Sequence, residues 1–181
     1  MFRKNCWYVA AWDHEVTQSP LARTFLCEPV VLYRTEDGTA VALEDRCCHR
    51  ALPLSMGQVV GDRLQCGYHG LEFDNSGACV KIPGQDKIPP GAVVKSYPLV
   101  ERWKWLWIWM GDPALADESL IPNWWWFDHP EWELVKGKYL KLDCNYELIT
   151  DNLLDLSHLA YVHLNTLGTG DIGEFPIKTD R

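Results

Sequence analysis

From about residue 7 to residue 110 the chain alternates short apolar runs with turn signals. Val30-Val31-Leu32-Tyr33 is a compact β-prone run. Glu36-Asp37-Gly38-Thr39 interrupts it as a turn, and Ala40-Val41-Ala42-Leu43 resumes it, which predicts a hairpin. Leu71-Glu72-Phe73 and Ala78-Cys79-Val80 flank a second turn, Asp74-Asn75-Ser76-Gly77. Lys95 to Val100 and Leu106 to Trp109 read as further strands. Many short strands at regular spacing predict a small β-sandwich or barrel, and no internal repeat interrupts it. Gly111-Asp112-Pro113 closes this region, and Ala114 to Asn123 is a polar, proline-flanked connection. Trp124-Trp125-Trp126-Phe127 is expected to pack between the β domain and the C-terminal segment; an exposed partner-binding patch is the alternative.

The pattern then changes period. Lys138 to Tyr146 predicts one strand, and Glu147 to about Ala160 predicts a helix. Ile149, Leu153, Leu156 and Ala160 fall on one helical face. Asp151, Asp155 and His158 fall opposite, at i, i+4 and i+7. Two acids and an imidazole therefore form one stripe, which as a plain structural feature is a solvated face. The expected organisation is 1–112, a linker at 113–137, and a second domain starting at 138 and running to 181.

The 181 residues allow one large domain, or a small domain and part of another. Hydrophobic residues at 47% and charged residues at 23% exclude a disordered chain. A net charge of −8 argues against nucleic acid as a partner. Apolar runs are too short to span a bilayer, so no membrane association is expected. The N-terminal residues lack a secretory apolar stretch, which points to a reducing, cytoplasmic compartment. Seven cysteines cannot all pair with one another. Cys6, Cys27, Cys79 and Cys144 are expected to be small buried hydrophobes.

The other cysteines sit beside histidines. Cys47-Cys48-His49 gives Cys-x-His, and Cys66-Gly67-Tyr68-His69 gives Cys-x-x-His. Two loops that each supply one thiolate and one imidazole can clamp a [2Fe–2S] centre of the Rieske type. A Cys2His2 zinc site is the rival, although zinc fingers usually keep the two ligand types on separate elements. Cys48 is expected to point away from the ligands. Cys47-x-His49 and Cys66-x-x-His69-Gly70 resemble the motif of the oxygenase components of Rieske non-heme iron oxygenases. Tyr68 is typical of those components, whereas Gly67 and Cys48 stand where proline is common. The resemblance implies that Cys47, His49, Cys66 and His69 hold the cluster. The disulfide of respiratory Rieske proteins is absent, since Leu52 and Tyr68 occupy its positions.

Within the predicted helix, His158 and His163 lie five residues apart, about 140° around an ideal helix. Both can reach one iron only if the helix ends, bulges or unwinds after His158. Two histidines with a carboxylate make the facial triad of non-heme Fe(II) oxygenases. Asp151-x-x-x-Asp155-x-x-His158-x-x-x-x-His163 resembles the mononuclear-iron motif of the same family. By that resemblance His158 and His163 bind iron, and Asn152 lies near it. Asp155 bridges His158 and the cluster ligand His69 of a neighbouring subunit, and Asp151 belongs to the same catalytic group.

Asn5 to Trp12, Cys66 to Leu71 and Asp151 to Asp155 resemble the vanillate O-demethylase, dicamba monooxygenase and toluenesulfonate methyl-monooxygenase group, and Lys81 to Gln85 and Trp109 to Pro113 most resemble its toluenesulfonate branch. The implied fold is mainly β with some α: an N-terminal Rieske β-sandwich, then the start of an α+β helix-grip catalytic domain that is truncated here. The implied activity is an oxidoreductase of aromatic catabolism, a monooxygenase that hydroxylates a methyl or methoxy group using O₂. Its electrons come from NAD(P)H through a flavin and iron–sulfur reductase, or a ferredoxin. A homotrimer is implied, because each electron crosses a subunit interface. The alternative is a Rieske electron-transfer protein without oxygenase activity.

Overall fold

The computed structural model describes residues 2–163, 165, 166 and 168. The chain forms two compact units, residues 1–137 and 138–181. The part of the second expected domain beyond 168 lies outside the described residues.

Ten strands build the first unit: β1 (Cys6–Trp12), β2 (Leu21–Phe25), β3 (Glu28–Arg34), β4 (Ala40–Glu44), β5 (Gln58–Val60), β6 (Arg63–Gln65), β7 (Glu72–Phe73), β8 (Cys79–Lys81), β9 (Leu99–Arg102) and β10 (Trp105–Met110). They form three antiparallel sheets, ordered β1-β10-β9, β2-β3-β4 and β5-β6-β7-β8. β3 explains the unbroken run Val30-Val31-Leu32-Tyr33. Val31 and Tyr33 enter one core with Leu43, Leu54, Leu64 and Phe73. Val30 and Leu32 enter another with Leu106, Ile108 and Met110. A strand buried on both faces needs apolar residues at every position, so its sequence does not alternate. Each of these side chains contributes about 1.5–3 kcal/mol when fully removed from water.

The strand expected from Lys95 begins only at Leu99. Pro98 has no N–H to give to a ladder. Residues 95–98 instead cross between sheets. Glu44 N–H donates to the Lys95 carbonyl (2.7 Å), Tyr97 N–H to Ala42 (3.0 Å), and Trp109 N–H to Pro98 (2.9 Å).

Aromatic pairs lock β1 to β10. Trp12 stacks on Trp105 with centroids 3.4 Å apart, and Trp7 meets Trp109 edge-on at 5.3 Å. The Trp124–Phe127 run divides between its two expected fates. Trp124 and Phe127 pack on the rings of Trp107, Trp105 and Trp12, while Trp125 and Trp126 are exposed.

The β2–β3 connection is a two-residue turn, Leu26-Cys27, between the paired residues Phe25 and Glu28. Both turn residues have positive φ, 50° and 69°. That is the geometry for which glycine is preferred at the second position. Cys27 is exposed rather than a core residue. Cys27→Gly is therefore expected to stabilise the first unit by about 0.5–1 kcal/mol. Chemical denaturation of the two proteins checks this; a lower midpoint for the variant contradicts it.

In the second unit, α1 (Tyr146–Leu154) starts at Asn145, whose side chain accepts the Glu147 N–H (3.1 Å). Residues 138–145 form no strand, because no neighbouring strand hydrogen-bonds to them among the described residues. The helix also stops earlier than its periodicity predicts. Asp155 accepts both the N–H and the hydroxyl of Ser157, at 3.1 and 2.5 Å, and this local turn competes with helical hydrogen bonding. A one-turn α2 (Leu159–Val162) follows. Asp151, Asp155 and His158 therefore do not share one helix face. Of the expected apolar stripe, Ala160 is buried, whereas Leu153 and Leu156 are exposed. No helix among the described residues is long and apolar enough to cross a membrane.

Candidate metal centres

Two loops of like construction carry the first donor set. In the loop after β4, Cys47 N–H donates to the Leu52 carbonyl (2.8 Å) and Ala51 N–H returns to the Cys47 carbonyl (2.9 Å). Between β6 and β7, Cys66 N–H donates to Leu71 (2.8 Å) and Gly70 N–H to Cys66 (3.1 Å). The turn residue is left-handed in both, Ala51 with φ 58° and Gly70 with φ 72°. Each loop thus folds back on its cysteine with the same offset.

The ligand types separate by depth. Cys47 and Cys66 are buried, at 3% and 2% exposure; His49 and His69 are exposed. The two imidazoles meet edge to face, with centroids 4.6 Å apart, and Tyr68 lies against His69 at 3.9 Å. Burial pushes the Cys47 thiol up to about 11. The adjacent Cys66 sulfur adds to that rise, while the backbone N–H groups of His49 and Arg50 oppose it. Two buried thiolates side by side repel each other unless cations lie between them, and a bound metal deprotonates such thiols outright. Among the described residues, no three His, Cys, Asp or Glu side chains are placed to hold a single ion. A paired-sulfur, paired-imidazole set therefore fits a two-iron centre with two protein ligands per iron better than one tetrahedral zinc.

Cys48 is exposed, yet its side chain lies within hydrogen-bonding reach of the Cys47 side chain, so the expected turn away from the ligands is not seen. Among the four cysteines read as core residues, only Cys79 is buried. Cys6 is partly exposed, and Cys27 and Cys144 are exposed. They lie in a strand edge, a turn and a polar segment, where burial is not on offer.

Sequence reasoning missed the groups that brace the loops. Asp45 is 8% exposed and accepts the N–H and the hydroxyl of Ser55, both at 2.6 Å, which closes the first loop. Glu72 is 3% exposed at the root of the second and binds Lys81 (2.7 Å), Arg63 (3.2 Å) and Gln65 (3.2 Å). An acid between the apolar Leu71 and Phe73 was its one signal in the sequence. Lys81 above all holds the Glu72 carboxyl below its ordinary range. A carboxyl that binds protons more weakly when folded stabilises the fold fully above its unfolded value. That contribution fades as pH falls from near 4.5 through the depressed folded value. Stability of the Glu72→Gln variant is expected to vary less with pH in that window than wild type, as thermal unfolding at several acidic pH values would measure. Parallel profiles would contradict it.

The second unit brings His158 and His163 together. The break at Asp155 places His158 before α2 and His163 after it, and their rings come within 5.3 Å. The break precedes His158 rather than following it. Asp155 is split in its contacts: Oδ1 serves Ser157, and Oδ2 lies 3.7 Å from His158 Nδ1. His158 Nδ1 also contacts the Asp155 backbone carbonyl. The Ser157 hydrogen bonds hold the Asp155 carboxyl below its ordinary range. Asp151 and Asn152 sit exposed on the last turn of α1. No carboxylate joins the two histidines as a third donor among the described residues.

Buried thiols and exposed imidazoles on paired loops of a small antiparallel unit define an iron–sulfur protein of the Rieske class. The chain belongs to the Rieske [2Fe-2S] domain family, whose model matches residues 6–98, and residues 142–181 match the vanillate O-demethylase oxygenase C-terminal domain. It is 57% identical over 170 residues to a toluene-4-sulfonate monooxygenase system iron-sulfur subunit of Comamonas testosteroni, covering 93% of this chain and 49% of that protein. It is 50% identical over 167 residues to the dicamba O-demethylase oxygenase component of Stenotrophomonas maltophilia, covering 90% and 48%. It is 44% identical over 179 residues to a Pseudomonas vanillate O-demethylase oxygenase subunit, covering 99% and 50%. The crystal structure of dicamba monooxygenase bound to dicamba superposes with a TM-score of 0.85 at 49% identity, over 89% of this chain and 48% of that one. The chain spans about half the length of the curated relatives it matches.

Proposed function

We propose that this chain belongs to the oxygenase component of a Rieske non-heme iron monooxygenase acting on a methyl or methoxy group of an aromatic compound. The observation that carries the reading is the pairing of two donor sets in one chain. Cys47, His49, Cys66 and His69 converge in the first unit, and His158 and His163 converge in the second. Relatives named for toluene-4-sulfonate, vanillate and dicamba support that substrate class.

In this reading Cys47 and Cys66 hold the inner iron, and His49 and His69 hold the outer one at the surface. His158 and His163 hold the mononuclear iron, with a carboxylate outside the described residues as the third ligand. Together the two metal centres supply one-electron transfer and O₂ activation. Asp155 steadies His158 through its backbone carbonyl, with Oδ2 nearby, and its half-exposed carboxylate can accept a hydrogen bond from His69 of a neighbouring copy. That bridge calls for a closed ring of copies, a homotrimer. Asn152 and Asp151 flank the same site. The reducing partner is a flavin and iron–sulfur reductase fed by NAD(P)H, and the compartment is the bacterial cytoplasm.

Iron and acid-labile sulfide measured on anaerobically purified protein test the reading. Iron in excess of sulfide by one atom per chain is expected. Equal iron and sulfide would favour the electron-carrier alternative. Zinc without sulfide would exclude both.

A further inference from the structure

One row of polar side chains crosses the whole four-stranded sheet beneath the second ligand loop. Gln58 Nε2 donates to Gln65 Oε1 (2.8 Å), and Gln65 Nε2 donates to Glu72 Oε1 (3.2 Å). Lys81 Nζ donates to that same Glu72 oxygen (2.7 Å), and Arg63 Nη1 donates to the other (3.2 Å). The backbone register matches: Gln58 pairs with Gln65, Gln65 with Glu72, and Glu72 with Lys81. A bulge separates Glu72 from Phe73 in the pairing with β8, so the ladder alone does not fix this register. Gln65 immediately precedes Cys66, and Glu72 immediately follows Leu71, whose carbonyl receives the Cys66 N–H. The row therefore joins both stems of the loop that carries Cys66 and His69.

Its charges are unequal in depth. Glu72 is 3% exposed, whereas the Arg63 and Lys81 side chains are about half exposed, at 51% and 55%. Water screens the cations more than the anion. A buried ion pair is weak support for stability, because an apolar replacement often serves the fold as well. The first loop shows a different solution, for Asp45 is closed by the neutral donors of Ser55. A buried acid with two cations at the root of one ligand loop only is better accounted for by what it does to that loop and the group it holds.

We propose that Glu72 is a positioning residue that fixes the stance of the Cys66–His69 loop and, through its charge balanced against Lys81, sets the reduction potential of the cluster. The inference rests on the reading of the first donor set as a two-iron cluster. Reduction adds one negative charge to the cluster. Removing the Glu72 charge favours the reduced form, and removing the Lys81 charge disfavours it. Glu72→Gln keeps an oxygen able to accept from Lys81 and Gln65, while its amide nitrogen gives up the bond from Arg63, so the Gln58–Gln65–Lys81 row survives as its charge changes. Lys81→Met alters a half-exposed side chain, and its fold does not depend on the first variant's success.

The test is a spectroelectrochemical titration of the cluster in the intact protein, with electron paramagnetic resonance of the reduced state. Glu72→Gln is expected to raise the midpoint and Lys81→Met to lower it. Each should change the reduced-to-oxidised ratio at fixed ambient potential by roughly threefold. Opposite shifts support the proposal, and a downward shift in Lys81→Met suffices where the glutamine variant does not fold. Unshifted midpoints, or shifts of the same sign, overturn it, because loosened packing alone carries no sign. A wild-type protein without a Rieske signal overturns the cluster assignment and this inference together. A normal wild-type signal with unshifted variants overturns the inference alone.

Discussion

Serine at position 66 is expected to leave the protein without its cluster, with visible absorption and acid-labile sulfide reduced to roughly background. The reason lies in the donor atom and its surroundings. Cys66 is 2% exposed and faces the equally buried Cys47, so the two sulfurs share one dry site. Iron–sulfur centres are held by thiolates, which ionise far more readily than a serine hydroxyl. Serine there leaves one iron with a single protein sulfur and a buried hydroxyl in place of the other. Cys47→Ser is expected to do the same. Cys48→Ser is the control, because Cys48 is exposed and its neighbour Cys47 is the buried one. That variant is expected to keep a normal cluster. Cluster loss in Cys48→Ser with retention in Cys47→Ser would reassign the ligand. Folding should be followed alongside by far-ultraviolet circular dichroism, since both loops close through backbone hydrogen bonds that do not involve the sulfur.

The candidate ligands of this centre are legible in the sequence because their chemistry is concentrated in two short spacings. Cys-x-His and Cys-x-x-His specify donor type, donor number and a two-loop clamp. The strands beside them are legible where turn residues such as Asp37-Gly38 and Ser76-Gly77 interrupt apolar runs. The misreadings have local physical causes. Pro98 delays the start of β9, although Lys95 to Val100 looks uniformly β-prone. Asp155 and Ser157 break the helix through a side-chain turn that hydrophobic periodicity cannot register. The expected strand over 138–146 depends on a neighbour that the described residues do not provide. Glu72 is visible only as an anomaly, one acid in an apolar triplet, because its meaning depends on register. It pairs with Gln65 on one side and Lys81 on the other only after the sheet has formed.

Asp155→Asn is expected to leave both metals bound and the fold unchanged, while turnover with the reductase falls by roughly two orders of magnitude. The substitution isolates charge from shape. Asn forms the same local turn as Asp, so its side-chain oxygen can still accept from the Ser157 N–H and hydroxyl. The helix break that brings His158 within 5.3 Å of His163 is therefore preserved. What changes is the second oxygen, which lies 3.7 Å from His158 Nδ1 and belongs to a half-exposed side chain. As a carboxylate it accepts hydrogen bonds only, and it is free to hold the N–H of an imidazole from another copy, since His158 Nδ1 contacts the Asp155 backbone carbonyl. An amide nitrogen in its place presents N–H to N–H and cannot accept that bond. Single-turnover reoxidation of the reduced protein, followed by stopped-flow, would separate this step from delivery of electrons by the reductase. A slowed internal step with normal metal content supports Asp155 as the bridge. Full activity in Asp155→Asn would remove it from that role. Loss of the mononuclear iron would instead assign Asp155 to holding His158.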